Sequence, residues 1–201
     1  MTPPCVWSSG CEEGTGGGGR AAHLRAEVPH QKWQIVIIVH GTRAFRDRVP
    51  GPDAGPEDTS TTLLGAWYAT VLRWRRPAAL LVNERTLLPL VLPLAPAKTL
   101  LHRVPDTLAE LLSAHGVPAP LVDAEHTEAL DPRVAPTANR SLVGVMNEFA
   151  FLADAHRAEE PELVSLSLRL ATTPCGPLYQ RHINPDRELA ALIAGLPADR
   201  K

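Results

Sequence analysis

Three apolar runs in quick succession, Trp67 to Trp74, Ala78 to Val82 and Thr86 to Leu92, constrain this chain more than any other feature. Arg75-Arg76-Pro77 separates the first two, and Asn83-Glu84 marks the turn into the third. Connections this short cannot carry a crossover, so the runs are expected to pair as antiparallel hairpins. In the first run Tyr68, Thr70, Leu72 and Trp74 alternate with Trp67, Ala69 and Val71, giving it two distinct faces. Pro89 lies inside the third run and has no N–H for a ladder, which makes that strand an edge strand or an irregular one.

Upstream, Ile35 to Val39 is a continuous β-branched run, the pattern of a strand buried on both faces. His40-Gly41-Thr42 ends it, and Thr42 can cap a short helix through Arg46. Val49 to Thr62, rich in Pro, Gly and Asp, reads as a long loop. Downstream the period changes. Leu100, Leu101, Val104, Leu108, Leu111 and Leu112 recur at helical steps until Gly116, with Pro105 expected to kink or split the helix. Val117 to Pro136 reads as a Pro-rich connector with one short turn near Glu125 to Ala129.

Thr137 to Leu152 is the second organising stretch. Ser141 can act as N-cap, and Leu142, Val145, Met146, Phe149 and Leu152 share one face of a helix running to about His156. Val164, Leu166, Leu168 and Leu170 alternate with Ser165, Ser167 and Arg169, the signature of a half-buried strand. Asn184-Pro185 opens a last helix from Asp186 to Ala194. The expected fold is α+β: a single, mostly antiparallel sheet, made of the meander plus N-terminal and C-terminal strands, with helices packed on it. That order fits poorly with alternating βαβ units. The domain spans 33–196, and residues 1–32, with GTGGGG and scattered prolines, form a tail expected to be disordered.

Apolar residues make up 44% of the 201 and charged residues 21%, enough for a real core. The formal charge of -2 provides no overall basic field, so nucleic-acid binding needs a local patch. Cys5, Cys11 and Cys175 are odd in number and lack metal-like spacing, which favours free thiols and a cytoplasmic setting. No run approaches the ~18 apolar residues of a membrane span, so no membrane association is expected.

Candidate chemistry is sparse. Asn139, Arg140 and Ser141 open the Thr137 stretch, where free N–H groups, the helix dipole and a guanidinium favour a phosphate or carboxylate. The same residues equally suit a turn, a cap and an ion pair. Gly144 suggests close approach of another backbone. Asn147 suits either the same ligand or a strand's peptide groups. His40, at a strand end, is the candidate for acid–base work. Eight histidines show no paired ligand spacing, so neither a metal nor a cofactor is expected. Arg73, Arg75 and Arg76 surround Trp74 at the first hairpin turn, a combination suited to stacking and phosphate contact, or to an ordinary solvated turn.

Four segments also carry a family likeness. HGT (His40 to Thr42), LGAWYATVL (Leu64 to Leu72), LLVNERTL (Leu80 to Leu87) and TANRSLVGVMN (Thr137 to Asn147) resemble a bacterial family, domain of unknown function 6933. The resemblance covers roughly the central half of the chain and implies one compact domain independent of the Gly-rich tail. It implies no activity. Where the family commonly has a cysteine between the His and Thr, Gly41 stands here, which argues against thiol chemistry. The preferred expectation is a non-enzymatic cytoplasmic module for a protein or nucleic-acid partner. The alternative is a small enzyme or ligand-binding domain that gathers His40 and Asn139 to Ser141 around a phosphorylated or carboxylate ligand.

Overall fold

In a computed structural model the described residues are 36–197, so the expectations for residues 1–32 and for Trp33 to Ile35 fall outside them. The chain order is β1 (Ile37–Gly41), α1 (Arg43–Arg46), β2 (Trp67–Leu72), β3 (Ala78–Asn83), β4 (Pro89–Pro93), α2 (Leu100–Ala114), α3 (Ala119–Glu128), β5 (Pro132–Pro136), α4 (Arg140–His156), α5 (Leu163–Ala171) and α6 (Pro185–Ala194). The fold is α+β, but its sheet is mixed. In the order β4-β3-β2-β1-β5, the hairpins of β2, β3 and β4 are antiparallel as expected, while β1 runs parallel to both β2 and β5.

Three expectations fail here. The segment expected as a C-terminal strand is helix α5. The expected connector after Val117 contains α3 and the edge strand β5. Pro105 does not split the helix in two, because α2 continues through it with Pro105 buried. The turn before it, a 3-10 segment at Ala97–Thr99, already starts the winding. Gly116, at φ 75°, does close α2 as expected of a residue in the left-handed region.

The sheet has a core on each face. On one side Ile37, Val39, Trp67 and Leu81 meet the leucine stripe of α2. On the other, Tyr68, Leu80, Val82 and Val91 meet Leu142, Met146 and Phe149 of α4 and Leu166 and Leu170 of α5. β3 is buried along its whole length, which explains its unbroken apolar run. Burial of each such leucine is worth about 2 kcal/mol, so this double-sided centre dominates stability.

Both edges of the sheet are managed. At the β5 edge, Val134 N–H donates to Pro52 O and accepts, through its own carbonyl, from Ala54 N–H, both at 2.8 Å. At the β4 edge, Val91 N–H donates to the Ser167 hydroxyl (2.8 Å), which itself donates to Leu163 O (2.8 Å). Ser167 is thus a buried helix residue satisfying a strand, not a residue on a wet strand face. Ser167→Ala would orphan the buried Val91 N–H, and urea denaturation is expected to show a loss of about 1–2 kcal/mol.

Candidate functional site

His40 ends β1, and its ring stacks on Tyr68 of the neighbouring strand with centroids 4.7 Å apart and planes at 26°. Its Nδ1–H donates to Pro136 O (3.1 Å), tying the ends of β1 and β5. The space beside it at Gly41 is closed, since a Cβ there would lie 2.7 Å from the Phe45 ring. Burial raises the Tyr68 phenol above its ordinary value and the Glu84 carboxylate adds to this, while the Asn139 backbone N–H pulls the other way.

Asn83 closes β3 and is fully buried. Its Nδ2 donates to Leu64 O (3.0 Å) and Ala66 O (3.3 Å). Its Oδ1 accepts from Arg85 N–H (3.1 Å), Thr86 N–H (2.9 Å) and the Thr86 hydroxyl (2.9 Å). One amide therefore locks the Glu84-Arg85 turn to the segment entering β2. Arg85 adds a bond from Nη1 to Leu63 O (2.7 Å). Beneath them, the buried Glu125 of α3 accepts from Leu64 N–H with both oxygens (3.4 Å each). Burial raises its carboxyl from the ordinary 4.5 to about 7, partly offset by the N–H groups of Leu64 and Leu63 and the Thr62 hydroxyl.

The four segments that carry the family likeness meet here. A hollow of ≈ 360 Å³ is lined by His40, Ser60, Gly65, Glu84 and Arg85. A second, of ≈ 160 Å³, is lined by Glu84, Arg85, Asn139, Ser141 and Arg181. Arg140, exposed at the start of α4, lines neither hollow, so His40 and Arg140 do not share one. The N-cap is Asn139 rather than Ser141. Its Oδ1 accepts from Ser141 N–H (3.0 Å) and Leu142 N–H (3.4 Å), occupying two donors that an anion would need. Asn147 is exposed on α4, and Gly144 faces open space rather than another backbone. Thr42 is the N-cap residue of α1 but makes no side-chain cap bond; its hydroxyl donates to Thr70 (3.2 Å). The polar groups of this rim are largely spent on one another.

The first hairpin turn is different. Trp74, Arg75 and Arg76 line a cleft of ≈ 660 Å³, and across from them stand Arg157 and Glu160 from the end of α4 and the chain beyond it. The Arg157 guanidinium carbon lies 5.4 Å from the centroid of the Trp74 ring, and Arg157 Nε is 3.2 Å from Asp154. Glu160 faces Arg169 at 3.5 Å, which offsets its charge. Arg73, Arg75 and Arg76 are exposed and have no hydrogen-bond or carboxylate partner among the described residues. Pro77, Pro161 and Leu163 supply apolar lining.

Sequence reading missed Asn83, Glu125 and Arg157. Leu121, Val122, Glu125 and Ala129 stand at helical steps, so the glutamate on an apolar stripe was the available signal for Glu125. Nothing local pairs Arg157 with Trp74. Cys175 is buried, with its thiol pushed up to about 12 by burial and by Glu148, which suits a turn residue rather than a nucleophile. Among the described residues, no group of three or more His, Cys, Asp and Glu side chains is placed to hold a metal, and no helix is long and apolar enough to cross a membrane.

In comparison with known families, the model described as domain of unknown function (DUF6933) fits residues 38–188. No curated protein and no solved structure matches.

Proposed function

The chain belongs to the DUF6933 family, a domain of unknown function, and from that premise we propose that it is a non-enzymatic binding module whose partner is a nucleic acid held at the arginine cleft. The observation that carries this reading is Arg75 and Arg76, which line the cleft with Trp74 and Arg157 and, like Arg73 beside them in sequence, are exposed and without carboxylate partners among the described residues. Exposed guanidinium groups with no internal partner are available to phosphates, and phosphate contact supplies most of the affinity in such complexes. The motif rim does not compete for this role, because its donors and acceptors already satisfy the fold.

A protein partner joining by strand addition would need a free sheet edge. The β4 edge is engaged by Ser167 and the β5 edge by residues 52–54, which favours the nucleic acid. A double Arg75→Ala, Arg76→Ala variant is expected to lose at least about tenfold in affinity for a labelled oligonucleotide at low salt, with its melting temperature unchanged. Fluorescence anisotropy and a thermal melt on the same samples check this. Equal affinity in the variant and the parent contradicts the assignment of the surface.

A further inference from the structure

Resting on the preceding reading, the shape and lining of the cleft say more about the strand it holds. We infer that the nucleic acid is single-stranded, with an unpaired base entering the cleft beside Trp74 while Arg73, Arg75 and Arg76 hold the flanking phosphates. Arg75, Arg76 and Arg157 line a concavity of ≈ 660 Å³ rather than crown a protrusion. A protein that reads a duplex inserts a helix or a β-ribbon into a groove roughly 12 Å wide. Here the arginines lie on the turn between β2 and β3 and at the end of α4, and neither projects an element of that kind.

The lining points the same way. Pro77, Pro161, Leu163 and the partly exposed Trp74 give the cleft apolar surface that phosphates cannot use. A duplex keeps the faces of its bases stacked inside. An unpaired base offers a flat apolar face to an aromatic or apolar wall. Arg157, 5.4 Å over the Trp74 ring and paired with Asp154 at 3.2 Å, and the core beneath on which the ring packs together hold Trp74 at the cleft wall. Three exposed guanidinium groups on one hairpin turn, from Arg73, Arg75 and Arg76, can meet two or three phosphates of one strand.

Those phosphates set the salt dependence. With about three contacts on a single strand, log K should fall with log salt at a slope of about −2, or roughly 16- to 20-fold between about 50 and 200 mM.

Anisotropy on the full chain, with labelled oligothymidylate of roughly 12 nucleotides and a duplex of equal length, tests this. Oligothymidylate is expected to bind at least about tenfold tighter than the duplex, with that salt slope. Trp74→Ala is expected to weaken single-strand binding by about tenfold or more, and Trp74→Phe to keep most of it. The strand preference is read on the unaltered chain, so it stands even if Trp74→Ala fails to fold. Equal binding of duplex and single strand, both lost in the Arg75, Arg76 variant, would overturn the single-strand inference and leave the nucleic-acid reading intact. No binding of either probe overturns both.

Discussion

Asn83→Ala is expected to lower the unfolding free energy by roughly 3–5 kcal/mol, a drop of about 10 °C in melting temperature for a domain of this size. The side chain makes five hydrogen bonds in a fully buried site, to Leu64 O, Ala66 O, Arg85 N–H, Thr86 N–H and the Thr86 hydroxyl. Truncation leaves backbone groups dry and unpaired, which costs more than the bonds themselves contribute. Leu87, held at φ 58° in the left-handed region, sits in the same turn and loses its reason to stay there. Asn83→Asp should be worse still, because it sets a carboxylate oxygen against two carbonyls where the amide donated. Chemical denaturation of the three proteins gives the ranking. An alanine variant within about 1 kcal/mol of the parent would remove Asn83 from its place at the centre of the rim.

Glu125→Gln is expected to change how stability depends on pH. Folded Glu125 holds its proton up to about pH 7, whereas the unfolded chain releases it near 4.5. Its contribution is therefore fully present below about 4.5 and is lost progressively as pH rises to about 7. Each pH unit across that window is worth about 1.4 kcal/mol, so the total is roughly 3 kcal/mol. Glutamine keeps an acceptor for Leu64 N–H and cannot ionise. The difference in unfolding free energy, variant minus parent, should rise by roughly that amount between those pH values and then level off. A difference that stays flat across the window would mean that Glu125 is already ionised, or solvated, in the folded protein.

The same physical terms explain what could be read in advance. The β2–β3–β4 meander was legible because its connections are too short for any other pairing, and Pro89 correctly marked an edge strand. α4 was legible because five apolar residues recur on one face. α5 was not: over eight residues, Val164 to Ala171, a period of two and a period of 3.6 both fit, and the serines looked wet. Ser167 is buried because its hydroxyl bonds back to Leu163 O and forward to β4, a contact 76 residues away in sequence. β5 was hidden by its terminal prolines, Pro132 and Pro136, which make a five-residue edge strand read as a loop. α3 was hidden because its apolar stripe is short, Leu121 and Val122 with the adjoining Ala129, and is interrupted by Glu125.

The candidate site divides along the same line. The local signals at His40 and at Asn139 to Ser141 marked residues that the fold does bring to one rim, with Arg140 outside its hollows. Their hydrogen bonds tie β1 to β5 and cap α4, which shows only once Pro136 O and the Ser141 and Leu142 N–H groups are in place. At the other end of β2, Arg73 to Arg76 were legible as a charged turn with a tryptophan. The cleft was not, because its far wall comes from Arg157 and Pro161, more than 80 residues along the chain.

The central claim is that the motif rim maintains the fold while the arginine cleft binds the partner. The most direct test measures single-strand affinity and melting temperature together for His40→Ala and for the double variant Arg75→Glu, Arg76→Glu. The account predicts that His40→Ala melts lower and binds as the parent does, while the charge reversal melts as the parent does and no longer binds. A folded His40→Ala protein that has lost binding, beside a charge-reversed protein that keeps it, would contradict the account and place the partner at the rim.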